Sequence, residues 1–189
     1  MSTLKVDNLL LADNNKGTGR ILEMFGGVCA GQTFEVLSGS YTLGNVTAVQ
    51  NLTTSYVDAT GSSITYTPPE GTKNVIYKYN FLIGRGDTNA MGHGRVYLDD
   101  NEILYRRFTV GQHTDYGSLS TVLCSFQCNA NSEDFNTGAL TSWTTPKTIK
   151  LQMREYSSTV EAKLHGTHFW EATTGVHFHQ PTLEIMAIG

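Results

Sequence analysis

The sequence predicts an all-β protein, specifically a jelly-roll-like β-sandwich with an N-terminal β arm. Apolar and polar residues alternate with a period of two in most apolar runs, whereas helical periodicity is hard to find. The chain contains 25 Thr and 9 Tyr, and β-branched and aromatic residues favour pleated strands. Clusters of Gly, Ser, Thr, Asn and Pro separate the runs at fairly regular spacing, as in a sandwich or barrel.

Turn signals mark where the first strands begin and end. A strand ends at Thr67, because the following Pro68 and Pro69 cannot lie inside a central strand. Residues 75–83 carry Val, Tyr, Tyr, Phe and Ile at the odd positions, which predicts a strand with one buried face. Residues 96–98 and 103–105 flank a short Asp/Asn turn and predict a hairpin.

The second half of the chain supplies the remaining strands. Residues 183–188 are apolar on both faces, which suits a central position in a sheet. About eight strands are expected between Val46 and Ile188, which is the number in a jelly roll. The other predicted strands of this half are residues 119–127, residues 149–154 and the weaker candidates 162–170 and 176–178.

The predicted domain boundary falls near Gly44. Residues 1–44 are expected to form a docking arm followed by a Gly-rich connector, and residues 45–189 the sandwich. The opening apolar run is too short and too interrupted for a membrane span, and its only nearby basic residue, Lys5, does not make a signal peptide.

Composition argues against two classes of partner and against a disulfide-linked fold. The net charge is −4 and only 16% of residues are charged, so neither a nucleic-acid footprint nor a polybasic membrane signal is present. Of the three cysteines, Cys124 and Cys128 lie in one predicted strand at a Cα separation of roughly 13 Å. A disulfide requires less than about 7 Å, so buried free thiols are expected.

Two parts of the chain resemble virion proteins. The opening residues 1–11 and the Gly17-Thr18-Gly19 step are similar to the start of small virion proteins of marine tailed phages, especially cyanophages. Residues 66–72 and 151–156 resemble the β-sandwich modules of phage fibres and capsid decorations. The resemblance implies a non-enzymatic, homotrimeric capsid decoration or short head fibre, assembled in the host cytoplasm and located on the capsid or tail surface. Its implied partners are the major capsid protein or tail and fibre proteins.

The alternative is the receptor-binding tip of a tail fibre that recognises host surface polysaccharide. Aromatic side chains can stack on sugar rings, and the candidate glycan contacts are Trp143, Trp170 and Tyr116. The competing interpretation is that such aromatics seal the sandwich edge or a subunit interface.

The expected virion-docking side chains of the arm are Leu4, Val6, Leu9, Leu11 and Ile21.

Histidines and acidic residues provide no convincing catalytic or metal site. His177 and His179 are two residues apart and point the same way on a strand, so they are candidates for lining a trimer axis. A metal site involving them, or the pair His165 and His168, is the alternative, but no Cys or carboxylate has suitable ligand spacing around them. Nucleophile, P-loop and dinucleotide fingerprints do not occur. We therefore expect neither an enzyme nor a cofactor.

Overall fold

A computed structural model describes residues 19–85, 90–112, 117–167 and 177–189. Within these ranges the regular structure is β, apart from one 3-10 turn at Leu104–Arg106, which confirms the predicted all-β class. The strands, in chain order, are β1 Ile21–Val28, β2 Thr33–Val36, β3 Gly39–Thr42, β4 Gln50–Asn51, β5 Val57–Asp58, β6 Ile64–Tyr66, β7 Asn74–Arg85, β8 Ala90–Leu98, β9 Asn101–Glu102, β10 Phe108–Gln112, β11 Ser118–Gln127, β12 Lys147–Glu155, β13 Ala162–Leu164, β14 Gly166–Thr167, β15 His177–Phe178 and β16 Thr182–Ile188.

Two antiparallel sheets contain the main strands. The first sheet has the strand order β1-β16-β7-β11. The short strand β13 pairs with β7 on the same side as β16, just beyond the end of β16, and β4 pairs with β13. The second runs β10-β8-β12, with β5 and β6 sharing the far side of β12 and β9 pairing with β8. If β5 and β6 are counted as one strand, the eight principal strands are, in chain order, β1, β5/β6, β7, β8, β10, β11, β12 and β16. Numbered 1 to 8 in that order, they follow 1-8-3-6 in the first sheet and 2-7-4-5 in the second. This order is that of a jelly roll, so the tertiary structure also confirms the predicted sandwich.

The core lies between the two sheets and follows from the alternation in the sequence. The odd positions of β7, from Val75 to Ile83, are fully buried, as are Ile149, Leu151 and Met153 of β12. Tyrosine hydroxyls at the centre also find partners across the core. Tyr77 donates to the carbonyl of Ser62 at 2.8 Å and Tyr79 to that of Thr60 at 2.6 Å, so burial leaves neither phenol unpaired.

Most sequence-predicted strands are present, and one is corrected. The patterns at 75–83, 119–127, 149–154 and 183–188 correspond to β7, β11, β12 and β16. The hairpin after β8 does turn at Asp99, whose φ is +53°. However, the returning strand is only Asn101–Glu102, and the residues after it form the 3-10 turn instead of a strand.

The N-terminal β element is bonded into the protein's own first sheet. β1 pairs with β16 from Ile21↔Ile188 to Val28↔Thr182. The carboxylate of Glu23 is buried and accepts hydrogen bonds from Tyr66 Oη at 2.7 Å and from Ser38 Oγ and N at 2.6 and 2.8 Å. β1 is therefore one of the eight principal strands. The division of the chain at residue 44 stays a prediction, and the part of the predicted arm at residues 1–18 lies outside the described residues.

Candidate interaction surfaces

Exposed apolar side chains concentrate on the two edge strands of the first sheet. Ile21, Met24 and Val28 of β1 and Leu119 and Leu123 of β11 are each 45–65% exposed. On β1, Met24 lies opposite Met186 and Val28 opposite Thr182, both partly exposed residues on the outer face of β16. All of these side chains therefore lie on the outer face, which the core does not cover.

The middle of the same face is polar but internally paired. Lys78 Nζ lies 3.2 Å from a carboxylate oxygen of Glu184. In the next row, Asn80 donates to Thr182 Oγ1 and accepts from Thr121 Oγ1. Lys78 and Glu184 therefore neutralise each other in the middle of this face. The surface at the two edges of the face is apolar.

The outer face of the second sheet has the opposite character. Glu102 accepts two hydrogen bonds from Arg107 and lies 3.7 Å from Arg95. The Arg107 hydrogen bonds hold the pKa of the Glu102 carboxyl below its usual value, with further help from the positive charge of Arg95. The Arg95 guanidinium stacks on the Tyr56 ring at 3.9 Å. These paired charges make the middle of this face polar, while Met91 at the start of β8 is 37% exposed on it.

Trp143, predicted as a glycan contact, is a core residue. Its side chain is 5% exposed, its indole N–H donates to the carbonyl of Tyr66 at 3.1 Å, and its ring meets Phe126 edge to face at 5.7 Å. Because both contacts hold the indole inside the sandwich, Trp143 does not offer a free face for a sugar. The edge of this residue lines an open cavity of about 440 Å³ together with residues 68–72 and 128–129.

The other predicted aromatic contacts, Trp170 and Tyr116, lie outside the described residues. The large exposed aromatics that the structure does describe are Tyr105, Tyr156 and Phe178. Sequence reasoning included Tyr105 among the aromatics in or beside loops that are candidates for binding. It missed Tyr156, whose position immediately after a strict alternation was the available signal.

The candidate trimer-axis histidines are at the surface. His177 begins β15 and pairs with Thr167, and His179 donates its backbone N–H to the carbonyl of His165; both imidazoles are exposed. Their role at a trimer axis stays a prediction. Among the described residues, no three His, Cys, Asp or Glu side chains are grouped to hold a metal ion.

His165 is the unusual histidine of the protein. It is fully buried between β13 and β14, has a φ of +63°, and its ring approaches the backbone of Thr60. Burial lowers the pKa of its imidazole to about 4. From the sequence, His165 was considered only as part of a possible metal pair with His168, because nothing local distinguishes a buried histidine from an exposed one.

The three cysteines are buried free thiols, which confirms the prediction for Cys124 and Cys128. Burial raises the pKa of each, Cys29, Cys124 and Cys128, to about 11. A protonated, buried thiol is a poor nucleophile, so these residues act as core side chains.

The predicted docking side chains Leu4, Val6, Leu9 and Leu11 lie outside the described residues. Ile21 is exposed at the start of β1, opposite Ile188. In the part of the chain that the structure describes, no helix has the length and apolar character needed to cross a bilayer.

Comparison with known proteins gives a weak structural similarity. No protein-family model and no curated protein matches the sequence. Among solved structures, the chain is similar to one from the structure of infectious bursal disease virus Gx strain, with a TM-score of 0.40 and 8% sequence identity. The match covers 90% of this chain, which spans 42% of the length of the viral one.

Proposed function

We propose that this chain is a non-enzymatic structural protein of the virion surface of a tailed phage. In this role it is a homotrimeric capsid decoration or short head fibre. The observation that carries the proposal is the separation of its two outer faces, one with apolar edge strands and one with paired charges. Exposed apolar surface of this kind is typical of protein–protein contact sites. The jelly-roll strand order agrees with the role, since capsid domains commonly use it, although a fold alone does not define a function.

The proposal assigns the N-terminal segment to docking on the particle. The described chain begins two residues before β1, where Gly19 N–H donates to the carbonyl of Gly189 at 2.6 Å. The partner is the major capsid protein or a tail or fibre protein. Because β1 is part of the core, the segment to remove is residues 1–18 and not the whole predicted arm.

The test compares the full chain with a variant that lacks residues 1–18. Both should fold, give the same circular dichroism spectrum and have the mass of a trimer by light scattering at micromolar concentration. Only the full chain should be incorporated into particles. Normal occupancy by the truncated chain would contradict the docking role, and a monomer mass for the full chain would contradict the trimer.

A second candidate function is the receptor-binding tip that recognises host surface polysaccharide. It is favoured by Tyr105 and Tyr156, two large aromatics that remain exposed on a protein otherwise low in charge. The discriminating experiment is adsorption of particles carrying Tyr105→Ala or Tyr156→Ala. A tip should lose host adsorption with an unchanged particle yield, whereas a decoration should adsorb normally.

A further inference from the structure

β11 is a long strand at the edge of the first sheet as the described residues define it. It pairs with β7 along its whole length, from Ser118↔Ile83 to Gln127↔Asn74. On its other side, Gln127 bridges to Ala139 and exchanges hydrogen bonds with Gly138 and Leu140, and Gly138 also lies against the carbonyl of Ser125. Residues 118–124 therefore present a row of backbone donors and acceptors that no described strand satisfies.

The sequence of β11 has none of the usual protection for such an edge. Its ten residues, SLSTVLCSFQ, include no Lys, Arg, Asp, Glu, Pro or Gly. Natural proteins protect exposed edges with charge, proline, bulges or a covering segment, because an unprotected edge pairs with another chain. In addition, Leu119 and Leu123 are exposed along it. An uncharged edge with apolar side chains is suited to strand addition.

β1 is the opposite edge of the same sheet and is complementary to β11. Among the described strands β16 is its one partner, and Ile21, Met24 and Val28 are exposed along it. The four strands β1, β16, β7 and β11 are successively antiparallel. An even number of strands makes the two edges run in opposite directions, so β1 of a second copy beside β11 continues the antiparallel ladder.

We propose that copies of this protein assemble by strand addition, with β11 of one copy pairing antiparallel with β1 of the next. The inference rests on the self-assembly in the proposed function and identifies its interface. Pairing places Leu119 and Leu123 beside the partner's apolar edge on one continuous outer face, which removes the exposed apolar surface from water. The contact joins different surfaces of the two copies. A head-to-tail contact of this kind closes into a ring if the rotation between neighbouring copies returns to the first copy, and in the proposed trimer it does so after three copies.

The first test introduces a charge at the proposed edge. Leu123→Lys places an ammonium beside the incoming strand, while its exposed position leaves the core intact. The matched control is Leu37→Lys, at an exposed leucine in the turn between β2 and β3. By light scattering at micromolar concentration, wild type and Leu37→Lys should be trimers and Leu123→Lys a folded monomer, as judged by circular dichroism. A trimer mass for Leu123→Lys would overturn the proposal.

The second test identifies the paired strands by cross-linking. Since the native cysteines are buried, a cysteine introduced at the surface is the thiol that reacts. Residues that face each other on adjacent strands lie close enough to form a disulfide. Two preparations are mixed under mild oxidation, one with Leu123→Cys and one with Met24→Cys or Val28→Cys. The proposal expects a disulfide between the two preparations and none within Leu123→Cys alone.

The outcomes separate this inference from the proposed function. A disulfide dimer of Leu123→Cys alone would mean that β11 pairs with itself about a twofold axis, and the proposal would be overturned. A trimer that gives no cross-link with either partner would overturn the interface but leave the trimeric structural role. A monomer for wild type would remove the self-assembly on which both depend.

Discussion

His165 should make the stability of the protein depend on pH in the mildly acidic range. Burial lowers the pKa of its imidazole from 6.5 to about 4, against the opposing effect of the Thr60 backbone. The folded protein therefore binds this proton less readily than the unfolded chain. Stability from this group is fully present above pH 6.5 and is lost as the pH falls from 6.5 towards 4.

The size of the effect follows from the two pKa values. One unit corresponds to about 1.4 kcal/mol, so the loss should approach ~2 kcal/mol at about pH 5 and ~3 kcal/mol at about pH 4. His179 donates its backbone N–H to the carbonyl of His165, and its charge acts in the same direction. A loss of this size is a large fraction of the stability of an ordinary domain.

The assay is urea unfolding of wild type and His165→Asn at about pH 7.5 and about pH 5. Asn does not titrate and tolerates the φ of +63° at this position. The free energy of unfolding of wild type should fall by ~2 kcal/mol more than that of His165→Asn between the two pH values. His93→Asn, which removes a partly exposed imidazole bonded to Thr109, is the control and should keep the wild-type loss. Equal losses for wild type and His165→Asn would refute the reasoning.

Three further substitutions test the packing of the sandwich. Glu23→Ala should lower the free energy of unfolding by ~3 kcal/mol, because Tyr66 Oη and the two Ser38 donors lose their acceptor; a loss below ~1 kcal/mol in urea would contradict the buried network. Trp143→Ala should destabilise the protein by ~3–5 kcal/mol through a core cavity, and thermal unfolding like that of wild type would contradict its core position. Gly94→Ala should destabilise the protein, since the added Cβ would lie 2.1 Å from the Phe108 ring; an added Phe108→Ala should recover part of that loss in the same unfolding assay.

The sequence predicted the elements whose pattern is local. The strict alternation in β12 and the odd-position apolar residues of β7 indicated both the strand and its buried face, because a strand places successive side chains on opposite faces. The apolar character of both faces of residues 183–188 also indicated a central strand, and β16 lies between β1 and β7. The four-residue spacing of Cys124 and Cys128 was enough to exclude a disulfide between them.

Only the tertiary structure decided which strands are neighbours, and with them the candidate surfaces. β1 pairs with a strand at the other end of the chain, so its alternation could not show that it joins the sandwich and leaves an open edge. Trp143 is buried by contacts with Tyr66 and Phe126, which are distant in sequence, and His165 by the packing around its loop. Alternation fixes which side chains share a face of a strand. What covers that face, or continues its hydrogen-bond ladder, depends on contacts between residues far apart along the chain.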